Sequence, residues 1–152
     1  MPFPLFHLAA GAGLWAKRDL FYGFVLGNVA IDTEVAARFL FGMDTLHGVF
    51  HTLMCAVALT LSFWCVSKYT ACAVGMGIGG VSHVLLDSIV HTDVKPFAPL
   101  SDWSPLYGLL SWHQTEVLCL IIAAIGILVL RVYSREPQPS PARGAWLSGP
   151  DE

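Results

Sequence analysis

A chain of 152 residues that is 55% hydrophobic and only 12% charged, with a mean hydropathy of +0.64, cannot cover a water-facing surface. Soluble domains carry about 25% charged residues, so lipid must solvate much of this one, and its length suits a single domain. The net charge of −3, with no basic stripe, excludes nucleic acid as a partner.

The N-terminal Met1-Pro2-Phe3-Pro4 lacks the basic start of a cleavable signal peptide, so insertion is expected to rely on the later helices. Residues 5–16 are apolar but short for a crossing, and read as a half-helix or a tilted fifth helix. Crossing a hydrocarbon core of about 30 Å takes roughly 20 helical residues. Four stretches qualify: 20–40, carrying Asn28, Asp32, Glu34 and Arg38; 47–66, apolar after His51; 70–90, with His83 and Asp87 in its later half; and 106–132, ending in the uninterrupted apolar run 117–130. The fold class expected is all-α, a polytopic transmembrane bundle of four long helices plus a short N-terminal helix. Residues 1–135 form the metal-binding helical domain, and 136–152, rich in Pro and Gly, form a disordered tail. Cys55, Cys65, Cys72 and Cys119 lack CxxC spacing and read as small buried hydrophobes.

Lys17 and Arg18, Lys68, and Arg131, Arg135 and Arg143 all fall on one side of alternating crossings, the cytoplasmic side by the positive-inside rule. Arg38 is the discordant charge. The expected location is the plasma (inner) membrane, multi-pass.

This topology collects the polar residues in one layer. Asp32, Glu34, His47, His51, His83, Asp87, His91, His113 and Glu116 fall toward the non-cytoplasmic face, and His7 joins them if the first segment inserts with its start outside. An ionisable group at mid-bilayer costs about 2.5–3.5 kcal/mol on insertion scales, so a cluster implies a compensating partner. The pairs His47/His51, His83/Asp87 and Asp87/His91 are each four apart and share a helix face wherever the chain is helical. Imidazole with carboxylate suits zinc, manganese or iron. Against this stands helix–helix glue, which accounts as well for His113 and His91 and better for Asn28, while Glu116 reads better as an interfacial charge. Gly75, Gly77, Gly79 and Gly80 read as a close packing surface between helices.

Four motifs in order, His7-Leu8-Ala9-Ala10-Gly11, Gly27-Asn28-Val29-Ala30-Ile31-Asp32-Thr33-Glu34, His47-Gly48-Val49-Phe50-His51-Thr52, and Ser82-His83-Val84-Leu85-Leu86-Asp87-Ser88 followed by Val94-Lys95-Pro96-Phe97-Ala98-Pro99-Leu100-Ser101, resemble those of the YdjM-like membrane-bound metal-dependent hydrolases, a family distantly similar to zinc-dependent phospholipase C. Ile31 and Glu34 stand where the family has Pro and Asp. The paired-His motif is one residue shorter and lacks the family's Arg. The resemblance implies His7, Asp32, His51, His83 and Asp87 as ligands of a divalent metal ion, zinc first with manganese or iron as alternatives. It implies Asp32 or Glu34 as general base, and leaves His47 outside the ligand set. The function expected is a membrane-embedded hydrolase that uses the metal on a phosphodiester or ester of a lipid or lipid-linked substrate near the interface, with membrane lipids as its surroundings. A non-enzymatic metal-binding or ion-transport protein is the alternative, and a purely structural bundle a third reading.

Overall fold

A computed structural model describes residues 4–133, and these form an all-helical bundle. In chain order, α1 (Pro4–Ala10) and a 3-10 turn (Ala12–Leu14) lead into α2 (Arg18–Leu40). A second 3-10 turn (Val49–His51) precedes α3 (Leu53–Ser67), then α4 (Thr70–Val90) and α5 (Trp112–Tyr133). The tail expected to be disordered lies outside the described residues. The helices α2, α4 and α5 are long and apolar enough to cross a membrane.

The helix α3 is shorter than the sequence suggests. Thr52 caps it, its hydroxyl accepting from the Cys55 N–H at 3.1 Å, so His47 to His51 stay outside the helix. At about 1.5 Å per residue its 15 residues span roughly 22 Å, under the usual hydrocarbon thickness. Lys68, in the left-handed region at φ 59°, ends it, its N–H bonding the Trp64 carbonyl at 2.8 Å. The helix α5 likewise starts six residues later than expected. Ser111 and Gln114 form a reciprocal capping box there, the Ser111 N–H reaching Gln114 Oε1 at 2.8 Å and the Gln114 N–H reaching Ser111 Oγ at 3.4 Å.

The centre of the bundle is the seam between α2 and α4. Gly23 and Gly27 on α2 face the backbone of Cys72 and Met76, while Gly75 and Gly79 on α4 face that of Leu20 and Phe24. A methyl group at any of them would overlap those backbone atoms, so only glycine permits this approach. Ile31, Ala56 and Val84 fill the core where α2, α3 and α4 meet. α1 has only seven residues, the half-helix of the two forms expected, and docks with its following turn against α5, where Gly13 meets Gly126. Of the four cysteines only Cys119 is buried, a correction to the expectation that all four would be, because Cys65 sits on the outer face of α3.

Candidate metal centre

The close α2–α4 seam sets Asp32 and Asn28 opposite His83. On α4, His83 and Asp87 lie one turn apart and both point inward, 1% and 3% exposed. Asp87 is the hub. Its Oδ1 lies 3.2 Å from His7 Nε2, brought by α1. Its Oδ2 lies 3.3 Å from His83 Nε2, 3.6 Å from His51 Nε2 and 3.9 Å from His47 Nε2. Asp32 Oδ1 is 3.3 Å from His83 Nε2, at the open edge of the cluster. The His7 and His83 rings stack at 4.3 Å, and those of His47 and His51 meet edge-on at 4.6 Å.

A neutral imidazole has one N–H and one lone pair, and an acceptor beside one nitrogen decides which is which. Three of these histidines have such an acceptor at Nδ1. Asp93 Oδ2 lies 2.9 Å from His47 Nδ1, Glu34 Oε2 lies 3.4 Å from His51 Nδ1, and Asn28 Oδ1 lies 3.1 Å from His83 Nδ1. The Asn28 amide is itself oriented, because its nitrogen donates to the Phe24 carbonyl at 2.9 Å. A proton on Nδ1 satisfies each of these acceptors and turns the Nε2 lone pair of each ring toward Asp87. All three Nε2 atoms are buried and hydrogen-bond nothing. His7 Nδ1 and His91 Nε2 are buried and unbonded as well.

Leaving a buried polar atom unpaired costs about 1–3 kcal/mol. Three aligned lone pairs beside a desolvated carboxylate are what a cation requires, and second-sphere acceptors on the far ring nitrogens are the usual companions of metal-bound histidine. The residues therefore fit a divalent ion, and His/Asp triads of suitable spacing are present: His7, His83 and Asp87; Asp32, His51 and His83; His47, His51 and Asp87; and His47, His91 and Asp93.

The five residues expected as ligands, His7, Asp32, His51, His83 and Asp87, all come together. His47, left out of that set, joins them with its Nε2 inward. It does so without the helical spacing that first drew attention to it, because Gly48 lies outside the helical region at φ −153° and ψ −131°. His91 is likewise no longer helical, and its ring lies 4.4 Å from that of His47. Burial pushes its pKa down. Burial raises the Asp93 pKa, but the His47 bond and charge outweigh it and hold the carboxyl below its ordinary value. Glu34 stands one step back. Its Oε2 accepts from the backbone N–H groups of Gly48 at 3.1 Å and Phe50 at 2.8 Å, and its Oε1 from Arg38 Nε at 3.0 Å. The discordant Arg38 thus has a partner, and Thr45 Oγ1 receives its Nη1 at 3.1 Å. His113 is 92% exposed on its side chain and takes no part.

Sequence reasoning missed Asn28 and Asp93 as orienting groups. Asn28 carried a signal, since it lies one turn before Asp32 on the same face of α2. Asp93 lies in a loop, where no periodicity marks it.

Beside the centre, a cavity of about 620 Å³ runs between the start of α3 and the loop after α4. Val49, Met54, Ala58 and Pro99 give it apolar walls, and Arg38, Lys95 and Asp93 add charges of both signs. No family model, curated protein or solved structure matches the chain.

Proposed function

We propose that this protein is a multi-pass, membrane-embedded metal-dependent hydrolase acting on a phosphodiester or ester of a lipid or lipid-linked substrate. The observation that carries the reading is the convergence of buried, unbonded Nε2 atoms on Asp87, each ring with an acceptor behind its Nδ1. His7, His47, His51, His83, Asp32 and Asp87 would hold the metal, zinc first among the candidates for such donors. A bound ion of this kind lowers the pKa of its water toward 7 and polarises a phosphoryl or carbonyl oxygen.

The chain's own residues divide the remaining work. Asp32, at 24% the most exposed donor, has room to take a proton from water at the rim, which makes it the better base. Glu34, saturated by two backbone N–H groups and Arg38, positions His51 instead. The adjoining cavity suits an amphiphile, its apolar walls taking an acyl chain and Lys95 facing an anionic head group, while Arg38 is held by Glu34. The positive-inside pattern supports a site toward the non-cytoplasmic face of the inner membrane. The resemblance to the YdjM-like hydrolases supports the same chemistry. Ion transport fits less well, since the polar layer does not continue through the inner halves of the helices.

The test is hydrolysis of phospholipid and phosphodiester substrates by detergent-purified protein, with and without divalent metal. Turnover that needs the metal and disappears in His83→Ala is expected. Metal-loaded wild type that cleaves none of them, and instead carries ions across liposomes, overturns the reading.

A further inference from the structure

We infer that the centre holds two divalent ions, with the Asp87 carboxylate shared between them. The inference rests on the metal-centre part of the reading above and not on hydrolysis. Six side chains converge here, His7, Asp32, His47, His51, His83 and Asp87, whereas a closed zinc site takes four donors. They also form two groups. His7 and His83, with rings stacked at 4.3 Å, make one triad with Asp87. His47 and His51, with rings edge-on at 4.6 Å, make a second triad with the same Asp87. Oδ1 of Asp87 lies nearest His7, while Oδ2 is approached by His83 at 3.3 Å, His51 at 3.6 Å and His47 at 3.9 Å, so His83 stands between the two groups. A single ion drawing on one triad leaves lone pairs of the other buried and unpaired.

The chain supplies the two triads from different places. α1 and α4 provide one, and the segment before α3 provides the other two histidines. Asp32, within donor reach of both His51 and His83, borders both groups. Paired ions about 3.5–4 Å apart are a recurring device for displacement at phosphorus, each stabilising one oxygen of the reacting group.

The experiment uses the full chain purified in detergent, stripped and then reloaded with Mn²⁺. The expected result is two Mn²⁺ per chain by mass spectrometry, with an electron paramagnetic resonance spectrum showing an exchange-coupled pair. His7→Ala and His47→Ala should each retain one ion and show the uncoupled signal. Because wild-type count and coupling need no variant, a misfolded variant leaves the test intact. One ion per chain at saturation overturns the pair while leaving a metal centre standing. Two uncoupled ions overturn the shared carboxylate. No ion at all overturns the metal reading itself, and two coupled ions without hydrolysis overturn only the hydrolase reading.

Discussion

The molecule contains two histidine–carboxylate pairs on helices at the same end of the bundle, and they behave differently. His83 and Asp87 on α4 are buried and joined by side chains from α1, α2 and the segment before α3. His113 and Glu116 on α5 are also a turn apart, with Nδ1 3.4 Å from Oε2, yet His113 is exposed and Glu116 serves the Trp112 indole N–H at 2.8 Å. Helical spacing makes both pairs. What makes only one of them a site is convergence from other elements, which desolvates the ring nitrogens and fixes their protons.

The largest expected effect separates the pairs directly. His83→Ala should weaken metal binding at least about 100-fold, going beyond the roughly 10–100-fold typical of outer-shell changes. His113→Ala should leave it unchanged. Titration with Zn²⁺ against a competing chelator reads both, and equal losses would erase the distinction. Next come the orienting groups. Asn28→Ala and Glu34→Ala remove the acceptor behind His83 and His51, and each should cost about 10–100-fold in affinity with the ligands intact. Glu116→Gln, facing the exposed His113, should cost nothing in the same titration.

The same contrast shows what was legible beforehand. The 83/87 pair could be read because α4 is a regular helix and i,i+4 residues share a face. The long helices and the glycine seam followed from hydropathy and from Gly75 and Gly79. His47 and His51 have the same spacing but reach the centre by another route. Glu34 captures the N–H groups of Gly48 and Phe50, so the helix cannot begin until Thr52 caps it. Asp93 and Asn28 act through partners 46 and 55 residues away in sequence, which no local pattern encodes. The start of α5 was legible in principle, in Ser111-Trp112-His113-Gln114, a capping sequence hidden under a longer apolar run.

A third test moves the frame instead of the site. At Gly79 an added Cβ would meet the Phe24 carbonyl oxygen and come within 3.0 Å of the Asn28 amide nitrogen. Gly79→Ala should therefore lower stability by about 1–3 kcal/mol, the usual cost of overpacking. It should also weaken metal binding, because Asn28 is displaced from His83. At Gly108, φ is +78° and nothing lies within 4 Å, so Gly108→Ala strains its own turn without touching the centre. Thermal unfolding in detergent, with and without Zn²⁺, distinguishes the two. The metal-dependent gain should shrink only in Gly79→Ala, and a full gain there would show that the seam does not set the Asn28–His83 contact.

The smallest effect concerns acid. Asp93 has a folded-state pKa below its unfolded value, held there by His47 against the opposing push of burial. Its contribution to stability is therefore complete above the unfolded pKa, near 3.9, and fades as pH falls through the lowered folded value. Its side chain is 33% exposed, so solvent screening limits that contribution to under about 1 kcal/mol. In metal-free protein, Asp93→Asn should lower the melting temperature slightly at pH 6 and by less still near pH 3, where the wild-type carboxylate is itself being protonated. Asp44→Asn, at an exposed loop carboxylate, should shift neither. A loss in Asp93→Asn that grows toward acid would mean that His47 does not hold the Asp93 proton off, and the tautomer assigned to His47 would fall with it.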